Sequence, residues 1–436
     1  MAYDIILGRD KADKEKFGKK GLIQLGRGYV TMGQHTSLSN NLFMDIARSH
    51  VVLVGGKRGS GKSYTLGVMA EELANLPPET SQNIASLIFD TMGIFWTMKF
   101  ENEKDKLLLK KWDLKSKKLP IRVFVPFGKL EEYKEKGIPV DDVLAIKASE
   151  LEAEDWISTF NLSMTSQTGV LVQKAINKLK VEKQNFTIYD IQDEIENQHK
   201  FPTEVKNIAS ALFEAVDGWG IFSRDKKGTE IRDLIKKGST TIIDLSVYSS
   251  IGVFNVRGLI IGLVSRKLFQ ERMDARKKEE IESIHHGIDY LAYSAQRDVP
   301  LVWLFIDEAH EFLPKTGKTP ATEALIQLLR EGRQPGISLV LATQQPGQIH
   351  TDVLTQSDIV IGHRVTAKPD IEALNAIMQT YLLSSIKKSI DDLPALKGSA
   401  IILDDNSERI YPMRMRPRLT WHGGEAPTAV KAESKI

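Results

Sequence analysis

Short apolar runs recur along the 436-residue chain and alternate with segments whose apolar residues have helical spacing. The runs have the length and β-branched content of buried strands. They predict strands at Val51–Val54, Ala85–Asp90, Ile121–Phe127, Thr240–Leu245, Leu301–Ile306, Ile337–Ala342 and Asp358–Gly362. The intervening segments predict helices at Lys62–Leu76, Val256–Lys277, Ala321–Glu331 and Pro369–Met378. This alternation predicts an α/β fold with a mostly parallel sheet that is covered on both faces.

Two segments depart from this alternation. Residues 149–237 are helical in pattern and predict an inserted bundle, with helices at Ser149–Phe160, Gly169–Leu179, Ile188–Asn197 and Glu204–Phe213. Residues 1–48 predict a short β-rich segment with strands at Ile5–Leu7, Gly21–Leu25 and Gly28–Met32. The core is then expected at 49–148 and 238–420, with a loop or helical excursion at 278–299. Ala400–Leu403 and Arg409–Met413 predict a terminal hairpin, and residues 421–436, with Gly423, Gly424 and Pro427, a mobile tail.

Composition narrows the classes of function. The absence of cysteine excludes disulfides, cysteine-ligated metals and thiol nucleophiles. No apolar run has the length of a signal peptide core or a membrane span, so we expect a cytoplasmic protein without a membrane partner. The net charge of +2 neither requires nor forbids a nucleic acid partner.

The strongest motif is a glycine-rich segment, VVLVGGKRGSGKSYT, that joins the first core strand to a helix. Its spacing, Gly56-x-x-x-x-Gly61-Lys62-Ser63, is that of a P-loop, whose backbone N–H groups and helix N-terminus bind phosphates. The predicted nucleotide contacts are Gly56, Gly59, Ser60, Gly61, Lys62, Ser63 and Tyr64. Lys62 would contact the β- and γ-phosphates of ATP, and the Ser63 hydroxyl would bind Mg²⁺.

A second motif, LVWLFIDEAHEFLP, is an apolar strand that ends in two acids. Asp307 can hold Mg²⁺, usually through a water molecule, and Glu308 can orient and deprotonate an attacking water. This pair predicts hydrolysis of the nucleotide. His310 is expected to pack or to form hydrogen bonds.

Polar residues near other strand ends complete the predicted site. Gln344, with Gln345 as the alternative, would sense the γ-phosphate from the end of the next strand. Arg330 and Arg333 lie at a helix end, and Arg333 is better placed to reach the γ-phosphate of a neighbouring subunit. Arg48, just before the first core strand, could contact phosphate within its own subunit.

With these residues placed, the chain resembles the HerA branch of the HerA–FtsK ATPases. The matching segments span most of residues 45–425 and read GGKRGSGKSYT, FIDEAHEFLP, LLREGRQPG, LATQQPGQI and MRPRLTWHGG. The resemblance implies a RecA-like core with a helical insertion. It also implies a homohexameric ring that translocates on double-stranded DNA, often with a nuclease partner of the NurA type in end processing or antiviral defence. It implies the roles given above for Lys62, Ser63, Asp307, Glu308 and Gln344, with Arg333 acting in trans.

The chain departs from the family pattern in three places. Full-length members carry an N-terminal β-barrel, for which about 48 residues are present here. Ile94 stands where an acid is expected after Gly93, and residues 278–299 are longer than the pattern requires.

Three hypotheses of function therefore stand. The leading one is an ATP-driven DNA translocase or helicase that contacts DNA phosphates through Lys315 and Lys318. The second is a nucleotide-gated scaffold or coupling ATPase that does not act on DNA. The third is a superfamily-2 helicase, suggested by the tetrapeptide DEAH, although too few residues follow Asp307 for a second motor domain.

Overall fold

The structure is a computed structural model of the whole chain. It describes residues 3–32, 35–225, 227–248, 254–286, 297–364, 368–377, 392–394 and 396–424. The architecture below refers to these residues.

The described residues form one 13-stranded sheet that confirms the predicted α/β class. The strands are β1 Ile5–Leu7, β2 Leu22–Met32, β3 His35–Asp45, β4 Val51–Gly55, β5 Ile84–Asp90, β6 Arg122–Pro126, β7 Asp142–Leu144, β8 Thr240–Asp244, β9 Leu301–Ile306, β10 Ile337–Thr343, β11 Ile359–His363, β12 Ser399–Asp404 and β13 Arg409–Met415. Their order in the sheet is β1-β3-β2-β13-β12-β11-β4-β10-β9-β5-β8-β6-β7. The strands from β11 to β7 are parallel.

Helices cover both faces of the sheet, and each face has its own apolar core. The α-helices are α1 Lys11–Phe17, α2 Lys62–Ala74, α3 Pro78–Ser81, α4 Lys106–Lys111, α5 Leu130–Glu135, α6 Ala153–Thr159, α7 Gln167–Glu182, α8 Ile188–Glu196, α9 Thr203–Asp217, α10 Ile231–Leu234, α11 Val256–His286, α12 Thr322–Glu331, α13 Thr351–Gln356 and α14 Lys368–Ile377. Helix α2 packs in the core of one face, and α11 in that of the other.

The order of the parallel strands positions the candidate site. Strands β4, β10 and β9 are neighbours, so the segments that follow them meet at the carboxyl edge of the sheet. Ligands bind at this edge in open parallel sheets. The P-loop, Gln344 and Asp307 therefore converge, as their positions after predicted strands require.

Helices α6 to α9 occupy the segment that was predicted to be an inserted bundle. Its core is aromatic: the Trp156 ring lies 5.1 Å from the rings of both Phe213 and Phe222, measured between centroids. Arg266 of α11 donates to both carboxylate oxygens of Asp155 at 2.7 and 2.6 Å. The bundle is thus tied to the long helix that leads toward β9.

The N-terminal residues differ from the prediction. The two strands expected at Gly21–Leu25 and Gly28–Met32 form one strand, β2, whose pairing with β3 contains bulges. Strand β3 and helix α1 were not predicted. Strand β2 also pairs with β13, so the N-terminal strands extend the main sheet.

The terminal segments also differ in part. Strands β12 and β13 form the predicted hairpin. The expected tail begins with ordered contacts: the Trp421 N–H donates to the Phe100 carbonyl at 2.8 Å, and Thr97 donates to the Trp421 carbonyl at 3.0 Å. Pro427 lies outside the described residues. Of the excursion expected at 278–299, α11 takes the part up to His286, and residues 287–296 lie outside the description.

The fold also bears on the superfamily-2 alternative and on the question of membrane-spanning helices. The described residues build a single sheet, whereas a superfamily-2 helicase has two tandem motor domains, so the DEAH alternative loses support. Among these residues no helix combines the length and the apolar character needed to cross a bilayer.

Candidate nucleotide site

The P-loop follows β4 and leads into α2, whose first residue is Lys62. Gly59 and Gly61 have φ angles of 74° and 112°, in the left-handed region that favours glycine. A Cβ atom on Gly56 would lie 2.5 Å from the Ser60 Oγ. The sequence thus has glycine where the loop needs unusual backbone angles or a close approach.

The loop is fastened to its two neighbouring strands. The Gly56 N–H donates to the Thr343 carbonyl at 3.3 Å, and the Lys57 N–H donates to the Arg364 carbonyl at 3.0 Å. The Ser60 hydroxyl, by contrast, is buried without a hydrogen-bond partner among the described residues. A buried, unpaired hydroxyl in a phosphate-binding loop suits a site that offers donors to a ligand.

Lys62 is buried, and its Nζ donates to the Lys57 carbonyl at 3.3 Å. Burial lowers the pKa of Lys62, while the carboxylates of Glu308 and Asp307 oppose this shift. The lysine therefore lies in the field of both acids.

Ser63 and Asp307, the two residues predicted to share Mg²⁺, are in direct contact. The Ser63 hydroxyl donates to Asp307 Oδ2 at 2.7 Å, and Asp307 Oδ1 accepts the Glu308 N–H at 2.9 Å. Burial raises the pKa of Asp307, while its bond from Ser63 opposes the rise. Hydroxyl and carboxylate oxygens are the ligands that Mg²⁺ prefers, so these two residues fit the ion.

Glu308 has an unusual backbone, with φ 51° and ψ 43° in the left-handed region. A short 3₁₀ turn, Ala309–Glu311, follows it. The Gln344 amide donates to Glu308 Oε1, while Oε2 is buried without a hydrogen bond from any described residue. His310 Nδ1 lies 3.5 Å from Oε2, and burial lowers the pKa of His310. Strained backbone and an unpaired buried oxygen are features of functional sites.

Sequence reasoning missed His363, which ends β11 directly beneath the P-loop. Its Nδ1 donates to the Ser399 carbonyl at 3.1 Å, and its Nε2 accepts from the Thr65 hydroxyl at 2.8 Å. Burial lowers the pKa of His363 to about 4, so the ring stays neutral. Only the pairing of β11 with β4, which is not visible in the sequence pattern, places it here.

A pair of buried carboxylates beside the site was also missed. Asp90 and Asp244 lie opposite each other at the ends of β5 and β8. Asp90 accepts three backbone N–H groups from the loop that follows it, from Met92, Gly93 and Phe95. Burial and the neighbouring Asp244 raise the pKa of Asp90 to about 8. The pair shapes the loop next to Asp307 and Glu308.

The assignment of Arg48 to phosphate is wrong. Arg48 precedes β4, whereas the P-loop follows it, so the two lie at opposite ends of the strand. Its guanidinium instead donates to Asp13 of α1, at 3.0 Å from Nε and 2.7 Å from Nη2. Its role is to hold the N-terminal helix.

The remaining predicted residues lie at the periphery. The Tyr64 hydroxyl accepts the Arg418 N–H at 2.7 Å, so the C-terminal segment covers the start of α2. Arg330 pairs with Asp352 at 2.7 Å. Arg333 is exposed, and the described part of the chain forms no hydrogen bond or ion pair with its guanidinium.

The two lysines proposed for DNA are exposed and follow the 3₁₀ turn after Glu308. Lys318 Nζ lies 2.5 Å from Glu323, and the Lys315 N–H donates to the Gln348 carbonyl at 2.8 Å. Both side chains remain accessible to a ligand.

Two models of known protein families match this chain. A family model described as the central domain of the helicase HerA matches residues 30–263, which is more than half of the chain. This chain belongs to the HerA family. A second model, that of the zonular occludens toxin, matches residues 248–372.

Named relatives agree with this family. The DNA double-strand break repair helicase HerA of Pyrococcus furiosus is 28% identical over 187 residues, which cover 39% of this chain and 31% of the relative. That of Saccharolobus solfataricus is 21% identical over 389 residues, covering 88% and 65%. This HerA-family chain thus spans less than two thirds of either protein.

A solved structure supports the fold. VirB4 of Thermoanaerobacter pseudethanolicus superposes with a TM-score of 0.54 at 12% identity, covering 92% of this chain and 97% of VirB4. This similarity confirms the RecA-like P-loop ATPase fold.

Proposed function

We propose that this chain hydrolyses ATP with Mg²⁺ as a ring-shaped motor that translocates on or unwinds double-stranded DNA. The observation that carries the proposal is the contact of Ser63 with Asp307 beside Glu308 and Gln344, at the end of the P-loop strand. The four side chains come from three neighbouring segments. Together they supply the donors, acceptors and base that phosphoryl transfer to water needs.

Each residue has a distinct task in this mechanism. Lys62 neutralises charge on the β- and γ-phosphates, and Glu308 accepts a proton from the attacking water. Ser63 and Asp307 would hold Mg²⁺, which, when bound, neutralises phosphate charge and orients the phosphates. Gln344, whose amide donates to Glu308, is proposed to orient that base and to sense the γ-phosphate.

Arg333 is proposed to act on the neighbouring subunit. It lies at the amino end of β10, whereas Gln344 follows the carboxyl end of the same seven-residue strand. At roughly 3.3 Å per residue these positions are about 20 Å apart, too far for Arg333 to serve its own site. A head-to-tail ring joins such unlike surfaces of identical subunits, and the family's hexamer is the expected form.

Membership of the HerA family suggests double-stranded DNA as the substrate. Stimulation of ATP hydrolysis by DNA tests this assignment. We expect linear duplex DNA to raise the rate of ATP hydrolysis and the motor to displace a triplex-forming third strand. Stimulation should weaken as salt rises, because contacts to phosphates release counterions. Glu308→Gln should abolish both activities while nucleotide binding persists.

Other outcomes distinguish the alternatives. ATP hydrolysis that duplex DNA leaves unchanged at low and high salt would favour a coupling ATPase. Cellular function that survives Glu308→Gln would favour a nucleotide-gated scaffold. Capture of a nuclease by the tagged chain from its native extract would support a role in DNA-end processing or defence.

Lys315 and Lys318 are proposed to contact DNA phosphates. Changing either to Ala should weaken the stimulation of ATP hydrolysis by DNA. It should also reduce the slope of log Kobs for DNA binding against log salt concentration by about one. Lys200→Ala, at an exposed position in the helical bundle, is the matched control and should change neither. Unaltered slopes in both variants would move the DNA contact elsewhere.

A further inference from the structure

The turn that carries Arg333 has a rigid, buried base. The Ile337 N–H donates to the Gly332 carbonyl at 2.8 Å, which closes the turn between α12 and β10. Pro335 is buried, whereas Arg333 is exposed. Gly336 has a φ of 87°, and a Cβ there would lie 2.3 Å from the Leu301 side chain. The turn therefore presents the exposed Arg333 guanidinium on a packed support.

Arg272 supports this base from the long helix α11. Its side chain is fully buried, and its Nε donates to the Pro335 carbonyl at 2.8 Å. Its Nη1 donates to the Val299 carbonyl, just before β9, at 2.7 Å. One guanidinium thus joins the Arg333 turn to the entry of β9, the strand that precedes Asp307.

A second layer of charge holds Arg272 in place. Glu279, two turns further along α11, lies 3.3 Å from Arg272 Nη1 and 2.6 Å from Arg297 Nη1. A buried guanidinium is costly unless hydrogen bonds and an opposite charge compensate it, and both are present. Arginine suits the position because its planar fork donates in several fixed directions, which lysine cannot do.

We infer that Arg272 is a positioning residue for Arg333: by fixing the Pro335 carbonyl, it sets where the exposed arginine meets the neighbouring nucleotide. The inference rests on the proposed function, in which Arg333 acts in trans. Arg330 differs from Arg333 because its guanidinium is already paired with Asp352 of α13. No described residue restrains the Arg333 side chain in this way, so its reach depends on the backbone of the turn.

The first test separates rate from affinity. Arg272→Met keeps the length of the side chain but removes all donors. We expect it to lower kcat for ATP about 100-fold with KM unchanged, because a shift of about 1 Å in a catalytic group can have this effect. Arg272→Lys should have an intermediate effect and provides a folded variant if Met disturbs folding. A change in KM with normal kcat would overturn the inference.

The second test uses mixed rings, which report where Arg272 acts. Lys62→Ala destroys the nucleotide site of its own subunit but leaves Arg333 intact. Rings co-assembled from Lys62→Ala and Arg272→Met chains should therefore regain activity, since an Arg272→Met site that adjoins a Lys62→Ala subunit receives a correctly held Arg333. Rings of Arg272→Met with Arg333→Ala should stay inactive. Failure of the first mixture would show that Arg272 serves its own site.

Two controls separate this inference from the proposed function. Lys62→Ala mixed with Arg333→Ala must regain activity if Arg333 acts in trans at all; if it does not, the proposed function fails at that step. Arg266→Ala breaks the ion pair of α11 with Asp155 and should leave kcat unchanged. Equal losses in Arg266→Ala and Arg272→Met would point to a general effect of α11.

Discussion

The two ends of strand β4 differ in whether their buried polar groups are paired. At its amino end, His50 contacts Asp358 at 2.6 Å and Asp45 at 3.1 Å, and Asp45 accepts from Arg9 at 2.6 Å. At its carboxyl end lies the P-loop, where the Ser60 hydroxyl is buried without a partner among the described residues.

The difference separates structure from function. The paired charges at the amino end close on one another and fasten β1 and α1 to the core. The carboxyl edge of the sheet instead holds oxygens that no described residue pairs and, after β9, a left-handed Glu308, and both arrangements are unfavourable for folding. Proteins keep such departures where a ligand or reaction uses them. The comparison predicts that mutations at one end change stability and at the other change turnover.

The largest effect is expected from Glu308→Gln at the carboxyl end. Loss of a general base should lower kcat for ATP hydrolysis by about 10² to 10⁴, with nucleotide affinity retained. The melting temperature should not fall, because the remaining oxygen can keep the bond from Gln344 and Oε2 accepts none from a described residue. Steady-state kinetics and calorimetric titration measure both quantities. Glu214→Gln, an exposed acid on α9, is the control and should behave as wild type.

The next effect is expected at the amino end. Asp45→Ala removes the carboxylate shared by the buried Arg9 and His50, so that among the described residues Arg9 keeps only backbone carbonyl acceptors and His50 keeps Asp358 alone. We expect the free energy of unfolding to fall by about 3–5 kcal/mol, measured by denaturant titration. Asp13→Ala, which breaks a more exposed pair with Arg48, should cost less than about 1 kcal/mol. Equal losses in the two variants would contradict a special role for the buried network.

Much of the site follows from the sequence because strand ends converge at one edge of a parallel sheet. Asp307 and Gln344 could be placed beside the P-loop by this rule alone. Arg48 shows where closeness in the chain misleads. It lies only a few residues before the P-loop, but the intervening strand carries the chain to the opposite edge.

Elements whose stability comes from distant partners could not be predicted. Strand β3, HTSLSNNLFMD, is rich in polar residues that favour turns, and its pairing along β2 overrides this preference. His363 likewise has a role only because β11 pairs with β4, and nothing local to either segment specifies that pairing.

The pH dependence of stability sharpens the amino-end prediction. Burial alone would lower the pKa of His50, but Asp358 and Asp45 raise it to about 9. A raised pKa contributes its full stabilisation, about 3 kcal/mol, below the unfolded value of about 6.5, and this contribution is lost progressively as pH rises from there to about 9. Asp45 has a lowered pKa, so its contribution is lost instead in acid.

Unfolding titrations between pH 6 and 10 check this sign. The difference in stability between wild type and His50→Gln should shrink as pH rises from about 6.5 to about 9 and level off above that. A difference that stays constant over this range would mean that His50 contributes packing and not charge.

The smallest effect is expected from Ser60→Ala, and it tests the carboxyl-end half of the comparison most directly. The hydroxyl has no partner in the described fold, so its removal should leave stability unchanged or raise it by up to about 1 kcal/mol. If the hydroxyl donates to a phosphate, the same change should weaken binding of ATP, but not of adenosine, by roughly 10-fold. Arg58→Ala, an exposed neighbour in the loop, is the control for general disturbance. A loss of stability with normal ATP affinity would instead show that Ser60 belongs to the structural class of His50 and Asp45, although it lies in the phosphate-binding loop.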